Sequence, residues 1–214
     1  MNDFIRDINT IKEQNDLDGK PIGGPSNLKK TFDFIWEVAK VVIISLAIII
    51  PVRMFVVQPF IVEGASMLPN FHDGEYLVVD EISYRFSDIQ RGDVVIFRPP
   101  NHPTVYYIKR VIGLPGESVE IKDGSIYIYD SFHQEGIKLS EEDYLVNPVY
   151  IPGDKSKVTL GDNEYYLVGD NRGNSLDSRS FGPVEVERIQ GKVFLRALPL
   201  DRFSFFKTPV YNFN

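Results

Sequence analysis

Val105-Tyr106-Tyr107-Ile108-Lys109-Arg110-Val111-Ile112 is a run of β-branched and aromatic residues with two adjacent cations near its centre. A period of two puts Lys109 on the side of Val105, Tyr107 and Val111, and Arg110 on the side of Tyr106, Ile108 and Ile112. Both sides are apolar, so the run reads as a strand buried on two faces, with at least one cation withdrawn from water. Arginine stays charged under almost any burial, whereas lysine gives up its proton, so only Lys109 can become a base. Bringing a lysine from about 10.4 to near pH 7 to 8 costs roughly 3 to 4 kcal/mol, which the fold has to absorb.

On either side of this run, short β-branched and aromatic stretches are separated by turn dipeptides: Asp73-Gly74, Gly92-Asp93, Pro115-Gly116, Asp123-Gly124, Pro152-Gly153 and Gly161-Asp162. The pattern predicts strands at 76–80, 94–97, 105–112, 118–121, 125–129, 164–168 and 192–196. Many short strands with regular turns make this part mainly β, an antiparallel barrel or sandwich-like domain. No helix beyond residue 70 has convincing periodicity, and there is no internal repeat.

Towards the N-terminus the pattern changes. From Phe34 to Phe60 the chain is mostly Val, Ile, Leu and Phe, interrupted by Glu37, Lys40 and Arg53. Its uncharged centre, 41–52, would cover about 18 Å as helix against a hydrocarbon core of about 30 Å, so the flanking turns must also enter. Lys40 and Arg53 can snorkel to opposite headgroup layers, and Trp36 fits an interfacial anchor. The organisation predicted is a flexible cytoplasmic leader at 1–33, a transmembrane anchor at 34–60, a catalytic domain at 61–202 with an insertion at about 123–163, and a tail at 203–214. Lys29 and Lys30 precede the span and no lysine or arginine follows Arg53 until Arg85, so the N-terminus is cytoplasmic and the β domain faces outward. Phe203, Phe205 and Phe206 in the tail divide between membrane contact and core packing.

The 214 residues hold one domain of roughly 150 plus an anchor. The net charge is −7 and the basic residues form no dense block, so no nucleic-acid footprint is expected. The chain has no cysteine, which removes disulfides, thiolate chemistry and cysteine-ligated zinc. Neither a phosphate-binding glycine loop nor a metal-ligand spacing is present, so the chemistry expected needs no metal or cofactor.

Ser66, in Gly64-Ala65-Ser66-Met67-Leu68-Pro69, follows the apolar segment directly. A serine beside a membrane with a candidate lysine base points to serine hydrolysis. His72, in a turn, His102, before a proline, and His133, in a polar stretch, each read as solvated rather than as part of a Ser-His-Asp triad. Ser26-Asn27-Leu28-Lys29 formally fits a Ser-x-x-Lys pattern but sits in the leader without a surrounding fold. The segment 169–179 is dense in short polar residues after a predicted strand. On spacing alone it is a solvated loop, held by local Asp170–Arg172 and Asp177–Arg179 pairs, with Ser175 free to bond a nearby amine.

Together these segments resemble the bacterial type I signal peptidases, from the anchor to about Leu200 and in collinear order. The resemblance lies in Gly64-Ala65-Ser66-Met67-Leu68-Pro69, Arg91-Gly92-Asp93-Val94-Val95, Tyr107-Ile108-Lys109-Arg110-Val111-Ile112-Gly113-Leu114-Pro115-Gly116, and Gly169-Asp170-Asn171-Arg172 with Ser175, Asp177, Ser178 and Arg179. It implies Ser66 as nucleophile, Lys109 as general base, Ser175 orienting the lysine and Asp177 with Arg179 as a supporting pair. Some members carry a serine two residues before the nucleophile as a second oxyanion donor. Gly64 stands there in this chain, so that donor must be backbone or water. The resemblance also implies an antiparallel β catalytic domain that binds signal peptides of exported preproteins as an added strand and cuts after Ala-x-Ala, beside the lipid bilayer.

Three other readings compete. A self-cleaving repressor of the DNA-damage response, with a similar Ser-Lys dyad, would bring a DNA-binding N-terminal domain and no span. A non-catalytic tethered adaptor would lack Ser66 or Lys109. A peptidase dedicated to one exported substrate fits the same residues.

Overall fold

The structure is a computed structural model that describes residues 27–55, 57–145, 151 and 153–211. The expected leader, as far as residue 26, lies outside the described residues. Residues expected to close the leader instead begin a 29-residue helix, α1 (Asn27–Phe55). Val41, Val42, Ile43, Ile44, Leu46, Ile48 and Ile49 stand exposed on it. Among the described residues no helix is long and apolar enough to cross a membrane. The side chains of α1 are described from residue 30 to 49, and Lys30, Asp33, Glu37 and Lys40 fall in the first half of that stretch.

The C-terminal end of the expected 34–60 anchor also differs. Val57–Ile61 is strand β1, paired with β2 (Tyr76–Asp80) from Val57↔Asp80 to Ile61↔Tyr76. Its apolar residues continue the composition of α1 in sequence, but a sheet edge takes them up.

The remaining strands are β3 (Val94–Phe97), β4 (Tyr107–Gly113), β5 (Ser118–Lys122), β6 (Ser125–Tyr129), β7 (Ile137–Lys138), β8 (Lys155–Thr159), β9 (Glu164–Val168), β10 (Val184–Glu185), β11 (Ile189–Leu198) and β12 (Ser204–Phe205). All pairings are antiparallel, as expected. The main sheet runs β1-β2-β11-β3-β4-β9-β10, with β12 added on β11. A second sheet, β7-β6-β5-β8, holds the expected insertion and starts earlier than expected, since β5 belongs to it. The four-residue helix α2 (Ser178–Phe181) was not expected; Asp177 caps it by accepting from the Arg179 N–H.

β4 explains its own composition. Ile108 packs with Met67, Phe71 and Val79 in one core cluster. Tyr107 and Val111 pack with Phe97 and Leu167 in a second. Ile112 packs with Ile121, Ile128 and Val168 in a third, under the small sheet. One strand thus serves three cores, and each fully buried aliphatic side chain contributes roughly 1.5 to 3 kcal/mol. Water is excluded along it, and Lys109 and Arg110 are 3% and 5% exposed.

Candidate active site

Ser66 lies in the turn after β1, where Phe71 N–H donates to the Met67 carbonyl at 2.9 Å and Leu68 N–H to that of Ala65 at 3.3 Å. Gly64 opens the turn with φ +87°, a left-handed backbone that a serine would adopt only under strain. Its N–H is taken by Asp73 Oδ1 at 2.7 Å. Asp73, read from sequence only as a turn residue, therefore shapes the nucleophile segment. No acceptor among the described residues takes the Ser66 N–H.

Lys109 reaches Ser66 from β4: Nζ donates to Ser66 Oγ at 2.7 Å and to the Ile108 carbonyl at 2.7 Å. The Tyr107 ring centroid lies 5.4 Å from Nζ. Burial brings the lysine down from its ordinary 10.5 to about 8, against the charges of Asp177 and Asp170, which favour the ammonium, and with that of Arg179, which does not. Desolvation is thus the main cause that lowers the lysine on this strand.

Arg110 turns the other way. Its Nε and Nη2 donate to the two oxygens of Asp170 at 2.8 and 2.7 Å, and Nη1 donates to the Gly92 carbonyl at 2.8 Å. The guanidinium also lies 4.0 Å over the Tyr144 ring. Burial alone would lower its pKa, but Asp170 outweighs burial and raises it.

The loop after β9 is not a solvated loop. Asn171 N–H donates to the Ser66 carbonyl at 3.0 Å and its amide to the Ala65 carbonyl at 3.0 Å. Asn70 donates to Asp170 Oδ2 at 2.8 Å. A Cβ on Gly169 would come 2.5 Å from the Ser66 carbonyl oxygen, so the close approach of these two segments requires glycine.

The expected Asp177–Arg179 pair is present: Arg179 Nε and Nη2 donate to the carboxylate at 2.8 and 2.7 Å, and Gly169 N–H adds a third bond at 3.0 Å. Burial pushes the Asp177 carboxyl up, but Arg179, the Gly169 N–H and the nearby Ser175 hydroxyl outweigh it and hold it below the ordinary range. The expected Asp170–Arg172 pair is not formed. Asp170 belongs to Arg110, while Arg172 donates in a fork to Glu141 at 2.7 and 2.5 Å. Ser175 lies beside Gly169, on the loop that approaches the Ser66 carbonyl. Among the described residues its buried hydroxyl has no partner in hydrogen-bonding geometry, so the expected bond to the lysine is not made in this structure.

Ser66 and Lys109 open into a groove of about 580 Å³, walled by Val62, Leu77, Ile96, Ile108 and Leu176. His102 lies on its rim, and it is Lys109 rather than a histidine that bonds the serine. His72 and His133 are half-buried beside Glu75 and Asp130 rather than fully solvated. Among the described residues no group of His, Cys, Asp and Glu could hold a metal ion.

The sequence profile of the family described as "Signal peptidase, peptidase S26" matches residues 35–198. The chain belongs to that family. A signal peptidase I of Bacillus amyloliquefaciens is 37% identical over 173 residues, covering 77% of this chain and 86% of the relative. Signal peptidase IB of Staphylococcus aureus is 34% identical over 196 residues, 87% and 96% of the two chains. A crystal structure of a signal peptidase I from Enterococcus faecalis is 30% identical and covers 50% of this chain and 97% of its own, with a TM-score of 0.41. Membership makes the chain a serine endopeptidase, and the resemblance drawn from its four segments is borne out at the level of the family.

Proposed function

We propose that this chain is a membrane-anchored endopeptidase that removes N-terminal signal peptides from exported preproteins, with Ser66 as nucleophile and Lys109 as general base. The 2.7 Å contact between a desolvated lysine and the serine hydroxyl carries the reading. With Nζ neutral, the direction of that bond reverses and Ser66 Oγ–H donates to the amine. Oγ attacks the scissile carbonyl carbon while Nζ takes the proton, and the oxyanion falls to the unengaged Ser66 N–H. As the C–N bond breaks, Nζ returns the proton to the leaving amine. A water deprotonated by the same amine then hydrolyses the acyl-enzyme.

The remaining residues have supporting roles. Asp177, held by Arg179, fixes the turn that sets Ser175 beside Gly169, and the Ser175 hydroxyl is available to the amine as it changes protonation. Gly64 supplies no hydroxyl to the oxyanion and its N–H is occupied, so a second donor comes from another backbone group or water.

Specificity for Ala-x-Ala fits the groove, whose aliphatic walls leave room for small side chains near Ser66. Membrane anchoring is supported by α1, about 43 Å long, whose apolar side chains from 41 to 49 are left uncovered. Independently, Phe194 on β11, Phe205 on β12 and Phe203 just before β12 form an exposed aromatic row, with centroids 5.3 and 5.5 Å apart, while Phe206 turns inward onto Phe71. The lysines before the span put the N-terminus in the cytoplasm and the β domain outside.

The test is cleavage of a preprotein by detergent-solubilised protein. Ser66→Ala is expected to remove essentially all cleavage after Ala-x-Ala; cleavage by that variant at the normal rate would refute the assignment.

A further inference from the structure

We infer that the C-terminal segment 203–211 is a clasp that positions the Ser66–Lys109 pair, with Thr208 and Tyr211 as its positioning residues; this rests on the dyad reading above. The segment lies past residue 198, where the family match ends. It reaches both limbs of the dyad at one remove.

On the serine side, β12 holds the segment on β11 and Phe206 N–H donates to the Phe194 carbonyl at 2.9 Å. The Phe206 ring is thereby set 4.6 Å from that of Phe71, whose N–H closes the nucleophile turn on Met67.

On the lysine side, Thr208 Oγ1 donates to Asp93 Oδ1 at 2.5 Å and accepts from Lys192 Nζ at 2.6 Å. Asp93 is 1% exposed and pairs with Lys192 at 2.6 Å. Gly92 and Asp93 are laced to β4 through Val111, with Gly92 N–H donating to its carbonyl and its N–H donating to Asp93, both at 2.8 Å. Pro209 and Tyr211 lie directly over Gly92: a Cβ there would come 2.8 Å from Pro209 Cδ and 2.9 Å from Tyr211 Cε2. Tyr211 also meets Tyr144 edge-on at 6.4 Å, and Tyr144 backs the Arg110 guanidinium. Arg110 holds Asp170, and the next residue, Asn171, holds the Ser66 carbonyl. Thr208 thus fixes the strand beside the base, and Tyr211 backs the frame that ties β4 to the nucleophile.

A segment that merely covers core would change stability and leave the chemistry of the folded enzyme alone. A clasp changes the dyad itself. Around Lys109 stand Ser66 Oγ, the Asp177 and Asp170 carboxylates, the Arg179 guanidinium and the Tyr107 ring, and loosening that frame admits water to the amine.

The experiment compares full-length wild type, Thr208→Val, Thr208→Ser and Tyr211→Ala in detergent, well below each unfolding midpoint. Thr208→Val and Tyr211→Ala are expected to lower kcat about tenfold to hundredfold with KM little changed, since small displacements of reacting groups act on the chemical step. The midpoint of their pH–rate profiles should move up from about 8 towards that of ordinary lysine. Thr208→Ser should restore the wild-type values. Gly92→Ala, which displaces the clasp from beneath, should reproduce the loss. Wild-type kcat and pH midpoint in Thr208→Val and Tyr211→Ala, or losses that vanish after correction for folded fraction, would overturn the clasp while leaving the dyad intact. A wild-type enzyme without Ser66-dependent cleavage would instead overturn the dyad reading.

Discussion

Lys109 and Arg110 are neighbours on β4 and equally withdrawn from water, yet the two faces of the strand treat the same charge in opposite ways. On the Arg110 face a carboxylate accepts two of its N–H bonds and a carbonyl accepts a third, so burial is offset and the charge is kept. On the Lys109 face no carboxylate among the described residues is bonded to Nζ. Asp177, close enough to act through its field, is committed to Arg179. Desolvation therefore prevails at Lys109 and pairing prevails at Arg110. A buried cation becomes a base only where the fold withholds its counter-ion, and a guanidinium would not have yielded even then.

That contrast can be broken at either residue. The largest effect expected is on rate: Lys109→Ala should lower kcat/KM by about 10² to 10⁴-fold, the usual weight of a positioned general base, measured on a preprotein substrate. Retention of the wild-type rate would mean the lysine is a buried bystander.

Next in size is Arg110→Leu, which leaves the Asp170 carboxylate buried with Asn70 as its remaining side-chain partner among the described residues. It should destabilise the fold by about 3 to 5 kcal/mol in denaturant titration. A loss below about 1 kcal/mol would show that water reaches Asp170.

The third effect has the opposite sign. The folded pKa of Lys109, about 8, lies below its unfolded 10.5. Below pH 8 both states are charged and the fold bears the whole desolvation penalty. Between pH 8 and 10.5 the unfolded state binds the extra proton, so the penalty is released as pH rises. Lys109→Met should thus be inactive yet more stable than wild type by up to about 3 kcal/mol at pH 7, with the gain fading towards pH 10.5. A pH-independent stability difference would contradict this.

The sequence made one half of this contrast legible. Alternation on 105–112 placed the two cations on opposite apolar faces, and the strands at 76–80, 94–97, 125–129 and 164–168 follow the same signal to the residue. Partners far apart along the chain left no such trace. Asp170 has Arg172 two residues away, and only the fold brings Arg110 to it across sixty positions. Val57–Ile61 was absorbed into the apolar run before it because composition does not distinguish a helix end from an edge strand. Lys155–Thr159 was missed because its side chains are mostly polar and exposed, leaving little apolar alternation to read.

The most direct test of the Ser66–Lys109 assignment is the pH dependence of kcat/KM for preprotein cleavage between pH 5 and 10. A single acidic limb with its midpoint near 8 is expected, the rate rising as Lys109 loses its proton. A rate that is flat from pH 6 to 9, or a limb near 6.5 in the range of an ordinary histidine, would contradict it.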